Sequence, residues 1–390
     1  MLCYEYPPLG GGGGIGVRQY AEAWAAKGHR VAVLTGGAEG LPARETREGV
    51  EIVRVTTLGR KDRATATNLA MLTYNLSGLL HVLAHRRRLR EFDVLNTHFS
   101  IPTGPLGWAA ARLLGRPQVL TIIGGDIYDP TKRSSPHRSR VLRRVNAWII
   151  DAADRVVAIS SDTRARAERH YRIRSPIQVI IYGFTPAVGP REGRGPVDLP
   201  SAEGRFRLIS VGRLVERKGF DHLIRALARL PDEVELLLVG DGPLEAELKT
   251  LSRAEGVEER VRFLGFQTRE AIHALLRRAD CYVLSSLHEG LGIVVQEAMD
   301  AGLPVVATDN GGQVDLIRSP RNGLLVPPGD PVALAEAIRA VRDDPALADS
   351  MRRNNLADIR ELNMESNSER YLDLFRELLA LPAASSSPLR

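Results

Sequence analysis

CYVLSSLHEGLGIVVQEAMDAGLPVVATDNGG, residues 281–312, decides the fold. A short apolar run, CYVLSS, meets a loop containing glycines. An amphipathic stretch of helical period follows, then a second apolar run, LPVVAT: the strand–helix–strand crossover of a parallel sheet. Outward from there, FRLISVG, VELLLVG and RVRFLG are further strand-like runs, and HRVAVLT, VEIVRV, FDVLNTH, PQVLTII, DRVVAIS and IQVII fill the first half, each beside helix-period segments. Alternation of this kind predicts an α/β fold with parallel sheets. A stretch rich in Gly, Pro and charge, GFTPAVGPREGRGPVDLPSAEG at 183–204, interrupts the alternation as a linker does. The expectation is two Rossmann-like, doubly wound domains, residues 1–183 and 184–362, facing a central cleft, with ligands at the carboxyl ends of the strands. Beyond Asp330 the pattern is helical; a last helix over 363–381 is expected to cross back to the first domain, and the Ser/Pro tail 382–390 to be disordered.

A chain of 390 residues is long enough for two cores, and 44% hydrophobic with 26% charged residues is an ordinary globular composition. No apolar stretch approaches the ~20 residues that span a bilayer, and the start lacks a secretory pattern. Cys3 and Cys281 lie far apart in strand-like runs and read as buried thiols in a reducing compartment. Together these predict a cytoplasmic protein. LCYEY (2–6) reads as the end of a first strand that ordinarily begins several residues earlier, so a truncated or misassigned start is expected. The net charge of +6 is uneven: residues 1–190 carry 27 Lys+Arg against 15 Asp+Glu, and the remainder is acidic at −6. A basic first half points that domain at something anionic, such as a phospholipid head group, a lipid phosphate or nucleic acid; a solvated basic surface reads equally well.

Glu289 and Glu297 stand eight positions apart, with Gly290 and Gly292 between them. In one continuous helix, eight steps of ~100° would leave the two carboxylates some 80° apart. The glycines argue instead for a loop that turns into a helix near Ile293, placing Glu289 on the loop and Glu297 on the helix. The N–H groups of Leu291, Gly292 and Ile293 then form a seat for phosphate at the helix start, and the carboxylates suit sugar and ribose hydroxyls better than phosphate. In ISVGRLVERKGFDHLIRAL a strand ends at Gly212 and a helix is expected from Glu216 or Arg217, with Arg213 and Lys218 at the junction. Two cations there suit a leaving diphosphate whose charge grows as the bond breaks. FLGFQTREAI places Leu264, Gly265 and Phe266 at another strand end. The run Gly10–Gly14 with Gly16 is expected as a flexible loop ahead of the first helix, and it makes a poor nicotinamide fingerprint because no acidic residue follows HRVAVLTGG.

The block 286–312 resembles the E-x7-E signature of the retaining glycosyltransferases of GT-B fold, family 4 of the group 1 type. RNGLLVPPGDP extends the resemblance downstream, and it covers nearly the whole chain. The resemblance implies a nucleoside diphosphate sugar as donor, a hexosyl unit transferred with retention, and a glycan, lipid or small-molecule acceptor hydroxyl. It implies no cofactor, and the lack of an Asp-x-Asp pair fits a reaction that needs no metal. It implies that Arg213 and Lys218 hold the diphosphate, Glu297 the ribose and Glu289 the sugar, with Gly290, Leu291, Gly292 and Gly14 on the donor and Gly265 and Phe266 at the base. Gly13, Gly14 and Gly16 fall on the family's GGxG loop, with Gly13, Gly16 and Asp126 as acceptor-side candidates and His98 as a catalytic one. The sequence departs from the family at Asn96 and Ile123, where histidines are usual. Arg86, Arg87, Arg88 and Arg90 after the leucines of NLSGLLHVLAH, with the cations of KRSSPHRSRVLRR, read either as a peripheral contact with an anionic membrane or as cations at helix ends; a nucleic-acid partner is not expected. Two other readings stay open: a sugar-nucleotide hydrolase or epimerase, and a non-catalytic sugar-nucleotide or lipid-binding protein.

Overall fold

The computed structural model describes residues 1–60, 67–186 and 204–380. Most of the linker stretch and the whole predicted tail 382–390 lie outside the described residues. The chain divides into two units. The first is Met1–Tyr128, Ser134–Gly183 and Met364–Arg390; the second is Asp129–Arg133 with Phe184–Asn363. The division at Gly183/Phe184 falls where the linker begins, but Asp129–Arg133 groups with the second unit rather than the first.

In the first unit the strands are β1 (Val31–Gly36), β2 (Arg44–Arg47), β3 (Val50–Val55), β4 (Leu95–His98), β5 (Gln118–Ile122), β6 (Arg155–Ala158) and β7 (Ile177–Val179). Its helices begin with α1 (Gly12–Ala26), α2 (Asn68–Ala84), α3 (Arg86–Leu89), α4 (Gly104–Leu114), α5 (Arg140–Asp151) and α6 (Ser161–His170). The strands form two ladders, β1-β3-β2 and β4-β5-β6-β7. All pairs are parallel except β2 with β3. β2 was not legible in the sequence because RETR is polar and mostly exposed, an edge strand with no apolar alternation. The strand expected from LCYEY is a single residue with two bridges. Leu2 lies between Leu34 and Thr97, its N–H donating to the Asn96 carbonyl at 2.8 Å, so it joins the two ladders.

The second unit holds β8 (Phe206–Val211), β9 (Val234–Val239), β10 (Val261–Phe263), β11 (Cys281–Leu284), β12 (Val305–Thr308) and β13 (Gly323–Val326). Around them lie α7 (Phe220–Leu227), α8 (Glu245–Ala254), α9 (Arg269–Leu276), α10 (Ile293–Asp300), α11 (Pro331–Asp343) and α12 (Pro345–Glu361). The sheet is six-stranded and parallel in the order β10-β9-β8-β11-β12-β13, the doubly wound order in which the first strand sits at the centre and chain direction reverses beside it. The interior strand β9, VELLLV, is buried at every position, as a strand covered by helices on both faces must be.

The last helix, α13 (Met364–Ala380), belongs to the first unit. It is held by aromatic packing against α1: Tyr20 and Tyr371 meet edge to face at 4.9 Å, and the Trp24 indole N–H donates to the Ser368 carbonyl at 3.3 Å. Tyr371 also reaches the Thr121 hydroxyl on β5 at 3.1 Å.

Candidate active site

β8 ends at Val211, and the chain turns sharply at Gly212. The helix expected from Glu216 or Arg217 is there a single 3-10 turn, Glu216–Lys218, and α7 begins only at Phe220. Gly219 breaks the two apart in the left-handed conformation (φ 60°), where a Cβ would lie 2.3 Å from the Ser285 carbonyl oxygen. That close approach presses the β8 turn onto the loop after β11. Ser285 Oγ donates to the Lys218 carbonyl at 3.0 Å and the Leu287 N–H to the Arg217 carbonyl at 2.8 Å.

The two turns bring Lys218 and Glu289 into direct contact. Lys218 Nζ lies 2.5 Å from Glu289 Oε1, which also accepts the Ser286 hydroxyl at 2.9 Å. Arg217 reaches the other carboxylate oxygen at 3.3 Å, donates to the His288 carbonyl at 2.7 Å, and lies 3.8 Å from Asp129, one of the five residues the second unit takes from between β5 and α5. Burial penalises the Glu289 charge, but Lys218 and Arg217 outweigh it and hold the carboxyl well below the usual range. Burial also lowers the Lys218 ammonium from its ordinary value, against the attraction of Glu289. The stem of Lys218 lies across Gly212, whose Cβ would stand 2.9 Å from Lys218 Cε. The turn that carries Arg213 thus has room for the lysine only because it begins with glycine.

After Glu289 the loop is clamped to the segment following β12. Glu289 bridges Gly311, and the Gly312 N–H donates to the Glu289 carbonyl at 2.9 Å. Gly292 (φ 89°) then starts α10 at Ile293, so Gly290, Leu291 and Gly292 lead straight into a helix whose first N–H groups have no intrahelical acceptor. Glu289 sits on the loop and Glu297 on the helix. Glu297 is buried and pairs with Arg269 at the start of α9, Nε to Oε1 at 3.0 Å. Burial raises its carboxyl above the usual value although Arg269 pulls the other way. Gly265 follows β10 and accepts the Gly240 N–H at 2.8 Å, while Phe266 holds its ring in solvent at 75% exposure. Lys218, Arg213, Glu289, Gly290–Gly292 and Gly265–Phe266 therefore all follow the carboxyl ends of strands in one parallel sheet. Among the described residues no group of His, Cys, Asp and Glu is arranged to hold a metal ion.

The first unit treats its candidates differently. Gly13, Gly14 and Gly16 are not in a loop but inside α1, which starts at Gly12. The reason is steric. A Cβ on Gly16 would lie 2.2 Å from the Tyr182 ring, one on Gly13 2.7 Å from the Phe99 ring and 3.4 Å from Ile123, and one on Gly14 3.0 Å from the Glu5 carbonyl oxygen. Gly13, Gly14 and Gly16 permit close packing of a helix end, whereas Gly10 and Gly11 precede the helix and a Cβ on Gly11 would meet nothing within 4 Å. His98 ends β4 but is wholly buried, its Nδ1 3.1 Å from the Tyr182 hydroxyl, and burial lowers it to about 3, so the ring is neutral. Asp126 is likewise buried, accepting the N–H groups of Ser100, Ile123 and Gly124 at 2.7, 3.0 and 2.9 Å and the Ser100 hydroxyl at 3.1 Å; it organises the loop after β5. Gly13, Gly16, His98, Asp126 and Ile123 nevertheless form one neighbourhood at the ends of β4 and β5.

Arg217, Arg269 and Asp129 were missed in the sequence. Arg217 had a signal, since it precedes Lys218 in the same cationic turn. Arg269 and Asp129 had none, because their partners are set by tertiary packing.

Two Rossmann-like units, with a cationic turn, a paired glutamate and a helix start at the strand ends of the second, define a GT-B glycosyltransferase. The description "Glycosyl transferases group 1" matches residues 196–357 and "Glycosyl transferase 4-like domain" matches residues 11–183. The chain belongs to this glycosyltransferase family, whose donors are nucleotide sugars. It is 36% identical to the lipopolysaccharide core biosynthesis glycosyltransferase LpsD of Rhizobium meliloti over 56% of this chain and 63% of that one. Among solved structures it is similar to sucrose-phosphate synthase from Thermosynechococcus elongatus, with 26% identity, coverage of 97% and 98%, and a TM-score of 0.84. It also shares its fold with Anabaena HepE, solved in complex with UDP-glucose, at 22% identity, 96% and 99% coverage and a TM-score of 0.75.

Proposed function

We propose that this protein transfers a hexosyl unit from a nucleoside diphosphate sugar to an acceptor hydroxyl with retention of anomeric configuration, on a lipid-linked or other anionic acceptor. The observation that carries the reading is the Lys218–Glu289 contact at the end of β8, beside the start of α10. Donor binding exchanges partners there. The diphosphate takes Lys218, Arg213 and the N–H groups of Leu291, Gly292 and Ile293, and Glu289, released from Lys218 and still beside Arg217, turns its acceptor oxygens to sugar hydroxyls. Glu297 holds the ribose and Phe266 offers a face to the base.

No protein group is assigned as a covalent nucleophile. The leaving diphosphate itself takes the acceptor proton, and the protein contributes by placing cations where charge grows and by fixing the reacting groups. The reading needs no metal, since the cations of the β8 turn supply positive charge at the diphosphate. His98, Asp126, Gly13 and Gly16 shape the acceptor side from behind rather than touching substrate, which fits their burial. Cytoplasmic placement with a peripheral contact to an anionic membrane belongs to the same reading and is supported by the basic first half of the chain.

A thermal-shift panel with UDP, GDP, ADP and their sugar conjugates tests the donor, with UDP-glucose as the first arm; a ligand at 100 times its Kd stabilises by about 2.7 kcal/mol. Product stereochemistry by NMR tests retention. No shift with any donor would sink the catalytic reading in favour of a non-catalytic protein, and an inverted product would sink retention.

A further inference from the structure

The outward face of α2 is apolar where a solvated helix is charged, and the exposed faces beside it on α4 and α5 set arginines among apolar side chains. α2 turns Ala70, Tyr74, Gly78 and Val82 inward and Leu69, Leu72, Leu76, Leu80 and Leu83 outward, the five leucines being 48–67% exposed. No Asp, Glu, Lys or Arg occurs anywhere in Asn68–Ala84. α5 repeats the arrangement, with Asn146, Ile149 and Ile150 buried and Val141, Val145 and Trp148 exposed. α4 lies between them. A Cβ on Gly78 of α2 would be 2.5 Å from Leu106 of α4, and one on Gly104 of α4 would be 2.5 Å from Ile149 of α5, so the three helices pack side by side and their outer faces adjoin. Trp148 meets Trp108 of α4 edge to face at 4.9 Å, with the Arg112 guanidinium 5.3 Å from the Trp108 ring.

The charge along this face is mainly positive, and the acids that adjoin it are paired: Glu51 with Arg88, Glu91 with Arg30 and Asp151 with Arg174. Residues 68–90, 104–114 and 134–150 contain nine arginines and no Asp or Glu. Arg86 and Arg90 donate to the Leu113 carbonyl, which ties them to the rim of the patch, and Arg87, Arg140 and Arg144 are exposed. We propose that α2, α4 and α5 form a docking face for an anionic lipid bilayer. The leucines, valines and Trp148 enter the boundary between head groups and acyl chains, and the arginines meet the head groups. No helix among the described residues is long and apolar enough to cross a membrane, so the contact is one of lying on the surface.

A second copy of the chain fits less well. The 17 residues of α2 hold little more than two heptads, too few for a coiled-coil seam, the apolar surface spreads over two helices, and a two-fold contact would set arginine rim against arginine rim. The inference rests on the proposed lipid-linked acceptor but is tested apart from it.

The test is co-sedimentation of the full chain with vesicles of phosphatidylcholine, with and without phosphatidylglycerol, at low and high salt. Binding is expected only with phosphatidylglycerol, weakened by salt, and reduced about tenfold or more in the double variants Leu76→Ser/Leu80→Ser and Leu76→Glu/Leu80→Glu, because each leucine withdraws apolar area from water. Leu356→Ser, at an exposed leucine of α12 in the second unit, is the matched control and is expected to bind as the parent does. The donor thermal shift is expected to be unchanged in all three, so a missing donor shift with intact vesicle binding would fell the donor reading and leave the docking face standing. Equal binding to both vesicle types, or double variants that bind like the parent, would overturn the docking face. So would a parent that ignores vesicles and forms a dimer which the double variants dissociate.

Discussion

The strand ends of the two units solve different problems. In the second, the two glutamates and the lysine are each an ion met by an ion: Lys218 and Arg217 on Glu289, Arg269 on Glu297. In the first, the corresponding ends are filled by rings, glycines and a neutral histidine: Tyr182 on Gly16, Phe99 and Ile123 on Gly13, His98 on Tyr182. One set of strand ends is arranged for charge and the other for shape. On the function proposed above, the charged ends meet a diphosphate through cations whose carboxylate partner can be exchanged, and the close-packed ends fit an acceptor.

The hardest test of this contrast is Lys218→Ala. A transition-state donor of this kind is worth ~10²–10³ in rate, and loss of the lysine leaves Glu289 buried with Arg217 alone, so a fall in transfer of about a thousandfold is expected with a stability loss of up to about 3 kcal/mol. Initial rates with a working donor and urea midpoints measure the two. If transfer survived, the charged strand ends would be structural and the contrast would lose its functional meaning.

Gly16→Ala probes the other side. The added methyl enters the Tyr182 ring, and overpacking of this kind costs about 1–3 kcal/mol. The expected result is a lowered melting temperature with donor affinity unchanged. The opposite result, full stability with impaired transfer, would restore the glycine run to the role of a working loop.

Proton linkage separates the units further. His98 is a base whose folded pKa, about 3, lies below its ordinary 6.5, so the unfolded chain binds the extra proton first. Its contribution is complete above pH 6.5 and is lost as pH falls toward 3, by at most ~1.4 kcal/mol per pH unit. Glu289 is an acid held low. Its contribution is complete above the ordinary carboxylate value of 4.5 and is lost only below that. Urea midpoints of the parent and His98→Gln between pH 7 and 4 should therefore converge as pH falls from 6.5, while Glu289→Gln and the parent should run parallel over the range from 7 to 5. Parallel curves for His98→Gln would mean that the ring is not buried as a neutral group.

How much of this was legible follows the same divide. The alternation of apolar runs carried both sheets, and Gly290 and Gly292 separated loop Glu289 from helical Glu297, because backbone punctuation is local. The Lys218–Glu289 contact could be expected only as two ends of neighbouring strands, since its length depends on how Gly219 presses one turn onto Ser285. Gly13, Gly14 and Gly16 were misread because a glycine run has the same composition whether it permits motion or permits close packing, and only the rings of Tyr182 and Phe99 distinguish the two. The burial of His98 was hidden for a related reason: its place at the end of β4 was legible, but its surroundings are decided by Tyr182, more than eighty residues away in sequence.

The smallest effect concerns the edge of the charged site. Phe266 is the one candidate of the second sheet that is apolar and exposed, so by the contrast drawn here it should act through shape alone. Stacking of a base on an aromatic ring is worth ~1–3 kcal/mol, and an exposed ring beside a mobile ligand belongs at the lower end. Phe266→Ala is therefore expected to raise KM for the donor about fivefold with kcat unchanged, and Phe266→Tyr to restore it. A loss in kcat instead would show that the ring takes part in aligning the diphosphate with Lys218, and that shape and charge are not separable at this end of the sheet.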